Sequence, residues 1–509
     1  MTFDGSMSDE TMPHNSLAPA PPFVPRFSFA TVAAAITFAL ICVRAVMTID
    51  PYWDTLAYHW PFAARLGGVC DADCFIMPST SEDRYEGFPK LWHWLQGVVW
   101  RLTGSPAQAD VLNIAMVALV CGYLKSRFAV PLAWSWLAIV AIPEMQIELT
   151  STMIDLPLNA ALTVAVLVAV RLLAGPAKAN RADVIFALLA LCVAANSKFQ
   201  LATVALLFWI CIAALVAIRE PARSPRQRAL LFTALALAGT LVLTPKLLWN
   251  MYQFGNPFYP VSLVIGPLQL PGKEPMVSSI AMSDAIVNWP GPLRWLASVL
   301  EFDAFRGRPQ LWMAGQGDVL QSSPSFRMGG YFVAYVIAMV MVLIWSARNS
   351  KRGRLALMSF GAITLLCACL PLSFESRYYS FWMLTLVSLV LAVVHSPLFV
   401  SSQQPTHRLV AYGAIGIAFA SVVSMTGAAY LKTGNSSLVS LIAPTDRLIA
   451  QIPDGATLCV LNRAREAILY SSVFHPNRHY QTKVLWGQEA DATCTVRLDV
   501  AKDSFEYVK

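Results

Sequence analysis

Long apolar stretches dominate this chain. They fall near 29–47, 89–103, 108–124, 129–143, 154–174, 182–197, 199–218, 229–249, 329–346, 355–371, 378–395 and 408–428. Their lengths and compositions predict helices, several of them shorter than the ~20 residues that a full bilayer crossing takes. Between them the basic residues cluster at 125–127, 178–181, 219–228 and 348–354. Short cationic loops stay on the cytoplasmic side. All four clusters do so if 89–103, Trp-rich and flanked by Lys90 and Arg101, lies in or dips into the outer interface while the other runs cross. The N-terminus is then inside and the C-terminus outside.

This topology leaves three segments facing outward: a first loop 48–107, a long loop 250–327 and a tail 432–509. The tail has ordinary polar composition. It reads as a small α/β module with a strand at Thr457–Leu461, a helix near Arg465–Ser472, and strands near Lys483–Trp486 and Thr493–Leu498. Residues 1–28, polar and then Pro-rich, read as a disordered cytoplasmic tail. The first apolar run lacks the cationic start and small-residue cleavage site of a removable signal, so it reads as an uncleaved first helix. The expected fold is an all-α polytopic membrane bundle of about 11–13 transmembrane helices. It spans 29–431, with a large first outer loop and a small C-terminal α/β domain outside.

Composition supports this. Of 509 residues 56% are hydrophobic and only 13% charged, too few charges to cover a soluble surface of this size; a bundle in lipid needs none on its outer face. The net charge of +7 sits in the topology-setting loops and does not point to nucleic acid. Four of the ten cysteines, Cys70, Cys74, Cys459 and Cys494, lie outside the apolar runs. They lack the spacing of a zinc site. In an oxidising compartment Cys70–Cys74 and Cys459–Cys494 would pair; otherwise all four are free thiols.

Functional groups are densest in the first loop, 49-IDPYWDTLAYHWPFAARLGG-68. Asp50 before Pro51 reads as an N-cap with proline at the first helical position. A helix from Pro51 puts Asp54 and Tyr58 on one face with His59 alongside, while Trp53, Trp60, Phe62 and Leu66 lie on the membrane surface. An acid at the mouth of a bundle is costly without a task, which favours a functional Asp54. His59 is either a hydrogen-bonded packing residue or a catalytic one. Next comes 85-YEGFPKLWHWL-95. Here Glu86 and Lys90 flank the opening of an aromatic helix, and Lys90 is either a snorkelling lysine or a point charge for phosphate. Asp155 opens a helix, where an acid also complements the dipole. Lys198 interrupts an apolar stretch between two helices and needs a partner or a cavity. Arg377 either pairs with Glu375 or binds an anion.

Taken in order, Asp54-x-x-x-Tyr58-His59, Phe88-Pro89-Lys90-Leu91, Asp155-Leu156-Pro157, Ser197-Lys198, 250-NMYQFGNPFYP-260 and Arg377-Tyr378-Tyr379 resemble the GT-C superfamily of glycosyltransferases. The likeness is to the bacterial branch related to protein O-mannosyltransferases and lipid A aminoarabinose transferase, and covers about the first three quarters of the chain. It implies an enzyme of the bacterial inner membrane with its site on the periplasmic face, moving a sugar from a polyprenyl-phosphate donor to a hydroxyl of a lipid, glycan or protein. The matching base is Asp54, with Tyr58 and His59 orienting it or the acceptor. Donor phosphate falls to Lys90, Arg377 and Lys198; Asp155, Asp50 and Glu86 are secondary acids. Many relatives carry Asp-Glu where this chain has Asp54-Thr55, so paired acids are missing. No cofactor is implied; a divalent metal is possible but not indicated. The rival classes are a flippase or transporter of a lipid-linked sugar, which needs charges along a continuous path, and a non-catalytic assembly factor.

Overall fold

The computed structural model describes residues 28–51, 54–175, 180–220, 222–265, 267–275, 289–300, 330–373, 375–399, 405–426, 437–461, 466–485, 493–499 and 504–507. Trp53, residues 1–27 and most of the loop 276–327 lie outside them, as do Arg465 and Trp486.

Each run expected to cross is a helix: α1 (Phe29–Met47), α5 (Val111–Phe128), α6 (Leu132–Val140), α8 (Asp155–Ala174), α9 (Arg181–Ala195), α10 (Phe199–Ile218), α11 (Pro225–Leu243), α14 (Gly330–Asn349), α15 (Lys351–Cys369), α16 (Phe381–His395) and α17 (Pro405–Thr426). Among the described residues seven helices are long and apolar enough to cross a membrane, and Val333–Asn349 and Phe381–His395 are shorter apolar ones. The chain is a polytopic membrane protein. α6, with 9 residues, rises only about 14 Å and runs on through α7 (Pro143–Glu148). Every residue from 135 to 168 is buried, so α6, α7 and most of α8 form the centre of the bundle. α6 and most of α8 are mainly apolar on all sides because neighbours cover every side, while α7 buries Glu144, Gln146 and Glu148. α16 is sheathed in the same way and packs on α8.

The basic clusters meet at one end. Asp183 on α9 pairs with Arg127 (2.8 Å) in the last turn of α5 and with Arg171 on α8, and Arg219 donates to the carbonyls of Leu173 and Gly175. Phe128 stacks on Phe399 while Arg352 donates to Leu398 O, which brings the fourth cluster alongside. The shared end agrees with a single cytoplasmic face.

At the other end lie α2 (Trp60–Leu66), β1 (Phe75–Ile76), α3 (Ser79–Gly87) and α4 (Leu91–Thr103). The described part of the helix after the first span starts at Asp54, and the turn Thr55–His59 is a π turn in which Trp60 N–H reaches back to Thr55 O. The N–H groups that an N-cap at Asp50 would hold belong to residues 52 and 53, outside the described residues, but the carboxylate of Asp50 has other partners. It is fully buried, accepts from Thr55 Oγ1 (2.7 Å), and takes the backbone N–H of Thr152 (3.3 Å). A buried carboxylate needs donors, and it ties the first loop to the turn before α8 instead. Burial outweighs those bonds and lifts its pKa to about 7. Nor do Trp60 and Phe62 face a membrane surface. Both are fully buried, because the C-terminal region covers this helix and Phe474 packs on Trp60.

α4 is not a crossing helix. It packs on α2 so closely that a Cβ at Gly67 would lie 2.4 Å from Gly97 O, and one at Gly97 2.1 Å from Ala63 O. Only glycine permits that approach. The apolar run 229–249 is also split: α11 ends at Leu243 and α12 (Pro245–Phe254) begins with a proline that cannot continue the ladder. Beyond it are the strands β2 (Val261–Ile265), β3 (Leu268–Leu270) and β4 (Glu274–Pro275), and helix α13 (Gly291–Leu300).

The tail forms α18 (Leu438–Ile449), β5 (Thr457–Leu461), β6 (Gln481–Leu485), β7 (Val496–Asp499) and β8 (Ser504–Tyr507), with a short 3-10 turn at Ala467–Tyr470 where a helix was expected. The sheet order is β1-β6-β5-β7-β8, parallel except for β8. Its edge strand β1 therefore comes from the first loop. Cys70–Cys74 and Cys459–Cys494 are disulfides, the second joining β5 to the start of β7.

Candidate active site

The turn 149–154, which delivers the chain to Asp155, is clamped from three sides. Asn113 Nδ2 donates to the carbonyls of Glu148 (2.8 Å), Ser151 (2.8 Å) and Met153 (3.1 Å). Gln96 Nε2 donates to Thr152 O (2.8 Å), and Trp60 Nε1 to Thr152 Oγ1 (3.1 Å). All of these polar side chains are buried. One turn into α8, Asn159 does the same for the segment that carries Arg377: its Oδ1 accepts from Phe381 N (3.1 Å) and its Nδ2 donates to Arg377 O (3.2 Å). Buried amides satisfied on both sides fix backbone position.

Between these clamps the charges meet. Arg377, on the 3-10 turn Ser376–Tyr379 before α16, is 4% exposed. Its Nη1 donates to Asp54 Oδ2 (3.1 Å), its Nε to Glu375 Oε2 (3.4 Å) and its Nη2 to the Tyr378 hydroxyl (3.3 Å). Lys198, just before α10, forms an ion pair with Asp155 and lies 3.8 Å over the Tyr378 ring. The two pairs thus share Tyr378. Asp54 is held by a buried cation, while its side chain is 20% exposed and its Oδ1 makes no hydrogen bond among the described residues. That is the placement of a carboxylate fixed by a cation and open on one side.

Tyr58 and His59 lie beside this cluster, their rings 4.2 Å apart. Burial, then the charge of Asp54, pushes the Tyr58 phenol well above its usual pKa. His59 is 2% exposed and its Nδ1 is 2.7 Å from Nε2 of His93, also buried. Burial, with Lys198 and Arg377 nearby, holds His59 neutral. Carboxyls of Glu144 and Glu148 are buried close by, and burial beside Asp155 and Glu144 raises the Glu148 pKa well above the ordinary range. Among the described residues no three His, Cys, Asp or Glu side chains converge as metal ligands.

Three residues from His93 along α4, Lys90 opens onto a groove of about 450 Å³, lined by Leu66, Phe88, Trp94 and Trp249 with Lys90 and Lys246. Lys90 Nζ donates to Tyr85 O and sits 3.8 Å over the Tyr85 ring. Burial and Lys246 lower its pKa to about 8. Lys246 donates to Glu86 O, and Asn250 Nδ2 to Gly87 O (2.8 Å), so α12 holds the turn that presents Lys90. Glu86 itself is exposed at this rim.

The structure therefore brings Asp54, Tyr58, His59, Asp155, Lys198 and Arg377 together, while Lys90 stands apart on a groove that none of them lines. Asp50 makes a structural bond, and Glu86 stays outside. The cations foreseen for phosphate are not idle: Lys198 serves Asp155 and Arg377 serves Asp54. Sequence reasoning missed His93, Gln96, Asn113, Glu144, Glu148 and Lys246. The carboxylates at 144 and 148, just past an apolar run, were the signal available.

No family model and no curated protein sequence matches the chain. Two solved structures share its fold. The crystal structure of ArnT from Cupriavidus metallidurans bound to undecaprenyl phosphate is 13% identical, with a TM-score of 0.51 over 91% of this chain and 86% of that one. ArnT in the apo state is 12% identical, with a TM-score of 0.50 over 89% of each chain. The fold implied by the GT-C resemblance is the fold of this protein: an ArnT-like membrane bundle.

Proposed function

We propose that this chain is a membrane glycosyltransferase that moves a sugar from a polyprenyl-phosphate-linked donor to an acceptor hydroxyl. The carrying observation is the pairing of a half-open carboxylate, Asp54, with a buried Arg377 (3.1 Å); an apolar groove rimmed by Lys90 and Lys246 offers a path for a lipid. The ArnT-like fold, with ArnT itself captured on undecaprenyl phosphate, supports the same donor class. The site end lies opposite the basic clusters, which supports transfer on the exocytoplasmic, periplasmic face of a bacterial inner membrane, with the N-terminus cytoplasmic and the tail outside.

Transfer needs an acceptor oxygen to attack the anomeric carbon as phosphate leaves. Asp54 takes the hydroxyl proton; Arg377 holds its Oδ2 and leaves Oδ1 for the acceptor. Lys90, with Lys246, meets the charge that gathers on the leaving phosphate, and the prenyl chain follows the groove along Trp94, Leu66 and Trp249. A base at Asp54 gives one displacement with inversion. A transporter would need charged groups along a path through the bundle, whereas the interior of α8 and α16 between the two ends is apolar.

The test is transfer of label from polyprenyl-phosphate sugars to a membrane extract by purified protein, wild type against Asp54→Asn. Loss of a general base costs roughly 10²–10⁴-fold, so the variant should be nearly silent while still binding the lipid. Equal transfer by both removes Asp54 from the chemistry. No transfer by either, with labelled lipid crossing vesicles, makes the protein a flippase.

A further inference from the structure

His93 was singled out by nothing in the sequence, and its surroundings bear on what His59 can do. The two imidazoles lie in the α2–α4 contact that Gly67 and Gly97 close, rings 5.0 Å apart, with Phe62 edge-on to His93 at 5.4 Å. His59 Nδ1 and His93 Nε2 are 2.7 Å apart. His93 Nδ1 is buried and has no hydrogen-bond partner among the described residues. The groups bearing on the pair are cationic, Lys198 and Arg377 at His59 and Lys90 and Lys198 at His93, and with burial they disfavour any imidazolium.

One hydrogen must therefore lie between two neutral rings, and only two arrangements exist. If His59 Nδ1 carries it, His93 must be protonated on Nδ1. That N–H is then sealed in an apolar contact without an acceptor, a loss buried donors rarely suffer. If His93 Nε2 carries it, His93 is in the intrinsically preferred tautomer with only a bare lone pair at Nδ1, and the N–H passes to His59 Nε2, which is not among the sealed, unpartnered atoms.

We infer that His93 is a positioning residue: its Nε2–H donates to His59 Nδ1 and so fixes His59 as an Nε2–H donor rather than a base. His59 then has no lone pair to offer the acceptor hydroxyl, and proton removal falls to Asp54 alone. What His59 supplies is a neutral N–H for an oxygen of the substrate, the leaving phosphate or a sugar hydroxyl. It does so without adding a charge beside Arg377 and Lys198. This role deepens the transferase reading and rests on it for the purpose of the donor, but the tautomer itself does not depend on any activity.

The test reads the tautomer first. Long-range proton–nitrogen correlations of ¹⁵N-histidine-labelled full-length protein in lipid nanodiscs, with His59 assigned by its loss in His59→Gln, should show a neutral ring protonated on Nε2. A ring protonated on Nδ1, or on both nitrogens, overturns the inference even if transfer is robust. The second readout is kinetic. Loss of an outer partner of a functional imidazole costs about 10–100-fold. His93→Phe should lower kcat by that factor with KM unchanged and let His59 populate both tautomers. His93→Gln, whose amide N–H reaches the same place, should restore most of it. Equal losses in Phe and Gln variants with an unchanged His59 spectrum would reduce His93 to packing. A wild type with the expected tautomer and no transfer would instead sink the transferase reading and leave the tautomer standing.

Discussion

The two ends of α8 carry ion pairs built from the same residue types and arranged in opposite ways. Near its C-terminal end Asp183 is surrounded: its side chain is 5% exposed, and Arg127 and Arg171, each 30% exposed, close on it. At its N-terminal end the cation is the buried partner, Arg377 at 5%, and the carboxylate of Asp54 is the open one at 20%. Asp155 and Arg171 are sixteen positions apart, about 24 Å along a helix. A carboxylate enclosed by two cations has both oxygens engaged and serves to hold helices together. A carboxylate fixed on one side by a buried cation keeps one oxygen free among the described residues. Under the proposed function the difference separates an anchor from a reactive group, although both read in the sequence as a charge beside an apolar run.

The largest expected effect follows from removing the buried cation. Arg377→Met leaves Glu375 and Asp54 without their shared partner inside the protein. Breaking a buried pair in this way typically costs about 3–5 kcal/mol, and loss of a fixed electrostatic contact at a reacting centre costs roughly 10²–10³-fold in rate. Thermal unfolding in detergent and transfer per folded molecule should both fall, and Arg377→Lys should recover part of the first and little of the second. A variant that unfolds early yet transfers at the wild-type rate would make Arg377 an anchor like those of the other end.

Much of this site was legible because ionisable residues are rare in such a chain. Asp54, Asp155, Lys198 and Arg377 each stand at the edge of an apolar run, where an unpaired charge is too costly to be idle. Which of them pair was not legible, since 323 positions separate Asp54 from Arg377 and no local spacing encodes that contact. His93 was hidden for a different reason. In Lys90-Leu91-Trp92-His93-Trp94 it reads as one more ring in an aromatic helix, and only the crossing of α2 over α4 gives it a partner. Asp50 shows a task that local spacing does not encode: its carboxylate accepts from Thr55 and from Thr152, the latter 102 positions away. In the tail β5 follows from its short apolar run, buried through the centre, and β7 from its alternation, whereas β1 is two residues long and is a strand only because β6 lies beside it.

A middle-sized effect concerns Lys90, whose charge depends on pH where the charges of the paired residues do not. Its pKa of about 8 reflects burial and the nearby Lys246, and a lysine is charged below its pKa and neutral above. A bound phosphate stabilises the ammonium and raises that pKa further. The affinity for polyprenyl phosphate in nanodiscs should therefore be flat up to about pH 8 and then weaken, by about tenfold in all if the contact is worth one charge-assisted hydrogen bond of ~1.5 kcal/mol. The phosphate is already doubly ionised there, since its second pKa is about 6. Lys90→Arg should remove the pH dependence while keeping the affinity. A decline that persists in Lys90→Arg would assign the charge to Lys246 instead.

The smallest effect on transfer is expected at the enclosed carboxylate. Asp183→Asn keeps the shape and one acceptor oxygen but removes the charge shared by Arg127 and Arg171. Both guanidiniums are partly open and can be taken up by water and lipid headgroups, so the loss should lie between the ~0.5 kcal/mol of an exposed pair and the ~3–5 kcal/mol of a buried one. Nothing in that change reaches Asp54: between the two ends α8 is apolar, and the clamps on the 149–154 turn come from Asp50, Trp60, Gln96 and Asn113, none of which touches Asp183. The unfolding midpoint should fall slightly and kcat per folded molecule should not move. A fall in kcat that matches Arg377→Met would mean that α8 passes strain from one end to the other, and the division between anchor and reactive carboxylate would then describe burial alone rather than function.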